Sequence, residues 1–221
     1  MMTPVSPPLG RKGVEMQTGR AFSAAVAAAV ADAEQHTSAE LVVVVAPRAA
    51  PWAAAAAAAG AAVAWLVLAV AVFTPFVDVH PVALLVELPL SGLSAAWLVH
   101  RSPGLLRRLV PARAQAAAVE EAARAAFVAE QVHQTRARTG VLLFFSLLER
   151  RAALVVDAGV QGAVPDGALA ALRFGPAPGR LGSQDELCAG IRAAGLALGR
   201  HLPPVLGDNP DELTNAPRVR A

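Results

Sequence analysis

From Trp52 to Phe73 the chain carries no charged side chain, and little else it does is compatible with that stretch being an ordinary surface helix. Its roughly 22 residues at about 1.5 Å each make a helix of about 33 Å, enough to cross a hydrocarbon core of roughly 30 Å. A buried core helix is the alternative, but a helix this long and apolar on every side is rarely that. A second stretch, Pro81 to Val99, has the same length class. Glu87 and Pro89 weaken it, and Trp97 strengthens it, standing at the far end where an interfacial aromatic belongs. Two spans make a hairpin that returns the chain to the side it left.

Orientation follows from the flanks. The connection Thr74 to His80 contains Asp78 and no Lys or Arg, whereas Arg48 precedes the pair and Arg101, Arg107, Arg108 and Arg113 follow it. Basic residues stay in the cytoplasm, so both long ends are expected there, in a multi-pass protein of the cell membrane. The arginines then read as headgroup contacts rather than as a nucleic-acid patch. Composition agrees: 55% of the 221 residues are hydrophobic and 16% charged, too apolar for a soluble domain alone. The formal charge is only +2 and Lys12 is the single lysine, so no nucleic-acid partner is expected. The lone Cys188 excludes an internal disulfide and a multi-cysteine zinc site, and reads as a small buried hydrophobe.

The remainder has the periodicities of an α/β domain. Phe22, Val26, Val30 and Ala33 recur at helical spacing between Arg20 and His36. Leu41 to Ala46 is a solid β-branched run, and Val141 to Ser146 is another, of the kind that makes strands buried on both faces. Leu147 to Arg151 is a charged break and Ala152 to Val156 a third apolar run, so the pair predicts a β-hairpin. Pro111 starts a long helical stretch, with Val119, Ala123, Phe127 and Glu130 in phase, that should end near Arg138. Asp166 to Arg173 predicts a short helix. Ser183-Gln184-Asp185-Glu186 is a capping box for a last helix ending near His201. The expected organisation is a disordered tail (1–19), a first part of the domain (20–51), spans at 52–73 and 81–99, a second part (104–213), whose acidic stretch after Pro204 with Asp208, Asp211 and Glu212 lies irregularly on the domain surface, and a tail (214–221).

Thr37-Ser38-Ala39-Glu40-Leu41, the run Val132 to Leu142 (VHQTRARTGVL), and His201-Leu202-Pro203 followed by Asp208 to Leu213 (DNPDEL) together resemble the TPM domain family. That family is named for a thylakoid lumen protein, a photosystem repair protein and a modulator of a nematode receptor, and the chain is most similar in plan to bacterial members with a membrane segment inside the domain. The resemblance implies a mixed β-sheet flanked by helices, here interrupted by the two-helix hairpin. Some TPM domains bind divalent cations and some hydrolyse phosphomonoesters, so the resemblance implies those properties as expectations. The family usually has a longer helix with a tryptophan where Asp166 to Arg173 stands, and this chain departs from it.

The connectivity places the candidate chemistry. The strand ending at Ala46 runs toward the membrane, the long helix carries the chain back, and the strand from Val141 must run parallel to the first through a right-handed crossover. Glu40, Arg138 with Thr139, and Asp157 therefore meet at the edge away from the membrane. Glu149, Arg150 and Arg151 lie at the opposite edge, toward the headgroups. Convergent carboxylates suit Ca²⁺ or another divalent cation, and Asp157 and Asp166, flanking the glycine-containing loop Ala158 to Gly167, are with Glu40 the expected metal ligands. Gln161 stands where secreted relatives often have Glu. Asp157 and Asp166 as turn and helix-capping residues is the other reading.

No phosphatase signature accompanies them: there is no Cys with Arg five residues on, no Arg-His-Gly and no P-loop lysine. His133, at the exit of a helix, reads as structural before it reads as a general base, and Thr135 and Arg138 as residues that hold the helix to the sheet. Glu87 is costly at mid-bilayer, by about 2.5–3.5 kcal/mol on insertion scales, and is either a protonated or water-reached group beside Pro89 or a functional one. Two functional classes stay open: a cytoplasmic-face module that binds or surveys other membrane proteins, and a divalent-metal-dependent phosphatase.

Overall fold

The computed structural model describes residues 19–74, 80–172, 174–177, 179–204 and 217–219. Helix α1 (Arg20–Glu34) leads into strand β1 (Glu40–Ala46), after which α2 (Ala53–Phe73) and α3 (Pro81–Arg101) form the apolar hairpin. A short α4 (Pro103–Leu109) and α5 (Ala112–Ala129) follow, then a 3₁₀ turn at Val132–Gln134. Strands β2 (Gly140–Ser146) and β3 (Arg151–Val156) come next, then α6 (Ala158–Ala163), α7 (Asp166–Ala170), α8 (Gln184–Gly199) and a two-residue β4 (Arg218–Val219). The sheet order is β3-β2-β1-β4, with β1 parallel to β2 and β4 and β3 antiparallel to β2. The fold is therefore α/β, a mixed sheet flanked by helices, as the apolar runs imply.

Burial explains why β1 and β2 carry no polar alternation. Both are buried along their whole length because both faces of the sheet are covered. Leu41, Val43, Val45, Val141, Leu143 and Phe145 pack with α1 and α8 on one side. Val42, Val44, Leu142 and Phe144 pack with Val119, Ala123 and Ala126 of α5 on the other. The register pairs Val43 with Leu143 and Val45 with Phe145, so residues far apart in sequence share one core. At about 25 cal/mol per Å² of apolar surface, filling both faces is the main favourable term in assembling the two halves. The hairpin thus interrupts the sequence between adjacent strands without interrupting the sheet.

Several boundaries differ from those read off the sequence. The stretch from Pro111 is not continuous to Arg138: α5 stops at Ala129, Gln131 takes a left-handed conformation (φ 56°), and the chain turns so that residues 135–139 can reach the sheet. The segment from Ala158 is a helix rather than a loop. Gly159 is there because a Cβ would sit 2.6 Å from the carbonyl oxygens of Ala137 and Arg138, a packing constraint rather than a turn. The short helix from Asp166 ends at Ala170, and Arg173 lies outside the described residues. The capping box of α8 forms as expected, with Ser183 Oγ accepting from Glu186 N–H at 3.3 Å and Glu186 Oε2 accepting from Ser183 N–H at 2.8 Å. The expected tails and the hairpin connection fall largely outside the described residues, with Asp78, Asp208, Asp211 and Glu212 among them. Strand β4 was not expected; it lies beside β1, where Arg218 pairs with Glu130 at the end of α5.

The hairpin is attached to the domain but not packed inside it. Of the most apolar 18-residue windows of α2 and α3, only 11% and 6% is buried, far below what a core helix shows. Gly60 and Gly92 bring the two helices together: a Cβ on Gly60 would meet Gly92 O at 2.4 Å. Both helices are long and apolar enough to cross a membrane.

Candidate functional site

Two ends of the sheet gather polar residues. At the end far from the hairpin, the residues that carry the TPM resemblance tie chain segments together. Thr37 Oγ1 donates to Leu202 O at 2.9 Å, joining the start of β1 to the end of α8. Thr135 Oγ1 accepts from Thr139 N–H at 3.0 Å, and Thr139 Oγ1 donates to Ser38 O at 3.3 Å. Arg138 Nη1 donates to His133 O at 2.9 Å, and Arg138 O accepts from Gly159 N–H at 2.9 Å. Thr135 and Arg138 hold the helix exit to the sheet. His133 sits on the 3₁₀ turn with its ring 6.2 Å from that of Phe127.

Glu40 and Asp157 share this end, both buried; Asp166 begins α7 and is exposed. Asp157 Oδ1 accepts from Ala158 N–H at 2.7 Å, capping α6, and Oδ2, which has no hydrogen-bond donor, faces the Arg138 guanidinium at 3.8 Å. One carboxylate oxygen is thus used by the helix and the other already meets a cation. Among the described residues no three His, Cys, Asp or Glu side chains come together as a metal site. Glu40, Asp157 and Asp166 are thus not gathered into one such group.

At the hairpin end the arrangement is different. Glu149, in the turn between β2 and β3, is only 1% exposed although the sequence presents it as the start of a charged break. Its carboxylate accepts from Trp52 Nε1–H at 2.6 Å, from Ala49 N–H at 3.2 Å and from the Ser146 hydroxyl. Leu148 beside it packs on a small cluster of Ala56, Val99 and Leu106, which joins α2, α3 and α4. Two backbone bonds, Leu147 N–H to Ala46 O (3.0 Å) and Leu148 N–H to Pro47 O (2.9 Å), complete the joint.

Next to that joint lies a cleft of about 970 Å³ between α4, the start of α5, the β2–β3 turn and the loop before α8. Arg107, Arg108, Arg150, Arg151 and Arg180 line it, and among the described residues no Asp or Glu does. Gln115 fixes its floor: Nε2 donates to Arg107 O and Val110 O, both at 2.9 Å, holding the bend between α4 and α5. Burial, and then the neighbouring Arg150 guanidinium, push Arg107 below its ordinary value. The flanking arginines are legible in the sequence as a headgroup-facing set; their convergence with Arg180, from a loop beyond β3, is not.

Glu87 lies on α3 about a third of the way along it and is exposed, on a helix that also exposes Leu85 and Leu90. At the other end of α3, Arg101 lies over the Trp97 ring at 5.6 Å, a cation–π contact.

This geometry has a counterpart among solved structures. The chain is similar to the BA42 protein from the psychrophilic bacterium Bizionia argentinensis, determined by NMR and TPM-domain-like in fold, at 18% identity and a TM-score of 0.53 over 94% of this chain and 98% of that one. At that identity the likeness concerns the fold. No protein-family model matches the chain, and no curated protein matches it.

Proposed function

We propose that the chain is a TPM-family protein anchored in the cell membrane by its apolar hairpin, with the α/β domain on the cytoplasmic face as a binding or quality-control module for other membrane proteins. The observation that carries this reading is an exposed apolar hairpin locked to a folded domain. Trp65, Phe73 and Leu85 are 72%, 82% and 75% exposed, a surface that water does not tolerate and that lipid or a partner's spans would cover. The Trp52–Glu149 bond and the cluster around Leu148 then fix the domain against whatever surface the hairpin enters. The arginine flanks supply the orientation. The distal clamp, in which Asp157 already meets Arg138, favours a module without turnover over a metal-dependent phosphatase.

The test is hydrolysis of a phosphomonoester by the purified full chain in neutral detergent, with calcium or magnesium. The module reading expects no turnover above that of an Asp157→Asn, Asp166→Asn variant. Metal-dependent turnover lost in that variant would bring the phosphatase forward instead.

A further inference from the structure

We propose that the arginine cleft is a binding site for the phosphate of an anionic phospholipid headgroup. The inference rests on the membrane-anchored reading and adds a ligand class to it.

Five guanidinium groups from three chain segments converge on one concavity whose described lining contains no carboxylate. Gathering like charges costs free energy that an unpaired cluster does not recover, and a bound anion is the natural counter-charge. None of the five makes an ion pair among the described residues, and three of them, Arg108, Arg150 and Arg180, make no side-chain hydrogen bond there either, so their donors are available to the cleft. Arg151 has a second unmet need: its Nη2 donates to Ala112 O at 3.1 Å, but its buried Nε–H has no acceptor. Guanidinium suits phosphate in particular, since its planar fork offers paired N–H groups to two oxygens.

Position selects the lipid over a soluble ion. Ser102, the residue after α3, lines the cleft, so the site opens where the hairpin leaves its apolar surroundings. Leu105 and Leu109 of α4 are 38% and 51% exposed beside Arg107 and Arg108, apolar groups that would enter the acyl boundary while the arginines stay at headgroup level. Trp97, 62% exposed under Arg101, marks the same level on α3. A free phosphate would use the arginines and leave those leucines in water.

The experiment uses the full chain and separates the two propositions. Anchoring is read first, as retention in phosphatidylcholine vesicles after an alkaline carbonate wash, which the arginine variants should share. The cleft is then read by titrating the protein in neutral detergent with dioctanoyl phosphatidylglycerol, dioctanoyl phosphatidylcholine or inorganic phosphate, following the melting temperature. Phosphatidylglycerol should raise it by several degrees at saturation, and the other two should not. Arg150→Gln with Arg180→Gln should weaken the phosphatidylglycerol effect by at least about tenfold in concentration, the loss expected for charge-assisted hydrogen bonds, while melting without lipid at or above the wild-type temperature. Equal shifts with both lipids, or an undiminished shift in the double variant, would overturn the site. A phosphate effect matching that of phosphatidylglycerol would overturn the headgroup assignment. Loss of protein from the washed vesicles would instead overturn the anchoring.

Discussion

The indole Nε1–H of Trp52 donates to the Glu149 carboxylate at 2.6 Å, across 97 residues of sequence. Trp52 is the residue before α2, and it holds a left-handed backbone conformation (φ 44°) that a tryptophan adopts only when its surroundings compel it. Glu149 is the group its indole meets, and the same carboxylate collects the Ala49 amide and the Ser146 hydroxyl. The place where the chain leaves the domain is thereby fixed to the turn that closes the sheet.

Removing either partner should therefore loosen the same joint. Glu149→Ala strands buried donors and is expected to cost roughly 2–3 kcal/mol, and Trp52→Phe somewhat less. The double variant should lose less than the sum, with a coupling of about 0.5–3 kcal/mol, measured by thermal melting of the full chain in detergent. Additive losses would mean that the bond does not matter to the folded state.

Gly60 tests the hairpin. A side chain there meets Gly92 O, whereas at Gly104 a Cβ meets nothing within 4 Å. Gly60→Val should destabilise the protein by about 1–3 kcal/mol through overpacking, and Gly104→Ala should leave the melting temperature near that of wild type. Equal behaviour of the two variants would contradict the close approach of α2 and α3.

These features differ in how far the sequence discloses them. Val42 to Val45 and Leu142 to Phe145 are uninterrupted apolar runs, and only a strand covered on both faces needs such runs, so the central pair and its parallel sense are readable in advance. Ser183 and Glu186 are equally plain, because a capping box is local chemistry. Glu149 is not readable: between Leu148 and Arg150 it looks like a solvated turn residue, and only closure of β1 against β2 brings three donors to it. Helix α6 is obscured by Gly159 and Gly162, which suggest a turn, although Gly159 answers to a neighbouring backbone. Asp157 and Asp166, close in sequence, do not end in equivalent settings: Asp157 is buried against Arg138, and Asp166 is exposed. The arginine cleft needs four segments, and no periodicity announces such a meeting.

Asp157 itself should behave as a cap. Asp157→Ala is expected to lower stability by about 0.5–2 kcal/mol, equally in chelator and in millimolar calcium. A calcium-dependent rise in the wild-type melting temperature that the variant lacks would restore a metal role to this carboxylate.

Cys188 is buried, and burial is the main cause that raises its thiol above the ordinary value, ahead of the opposing Arg192 and the reinforcing Asp185. A raised thiol holds less thiolate at neutral pH, so the native protein should alkylate more slowly than a free cysteine and faster as pH rises. Labelling with iodoacetamide before and after unfolding measures this. Equal rates in the two states would place the thiol at the surface.

The most direct test of the account is the sidedness of the hairpin and the domain in intact bacterial cells. In a Cys188→Ala background, single cysteines replace His80, at the tip of the hairpin, or Val128, 63% exposed on α5. A membrane-impermeant maleimide should label the position-80 cysteine in intact cells and the position-128 cysteine only after permeabilisation. Labelling of position 128 from outside, or protection of both until the cells are opened, would contradict a hairpin that crosses the membrane and returns its domain to the cytoplasm.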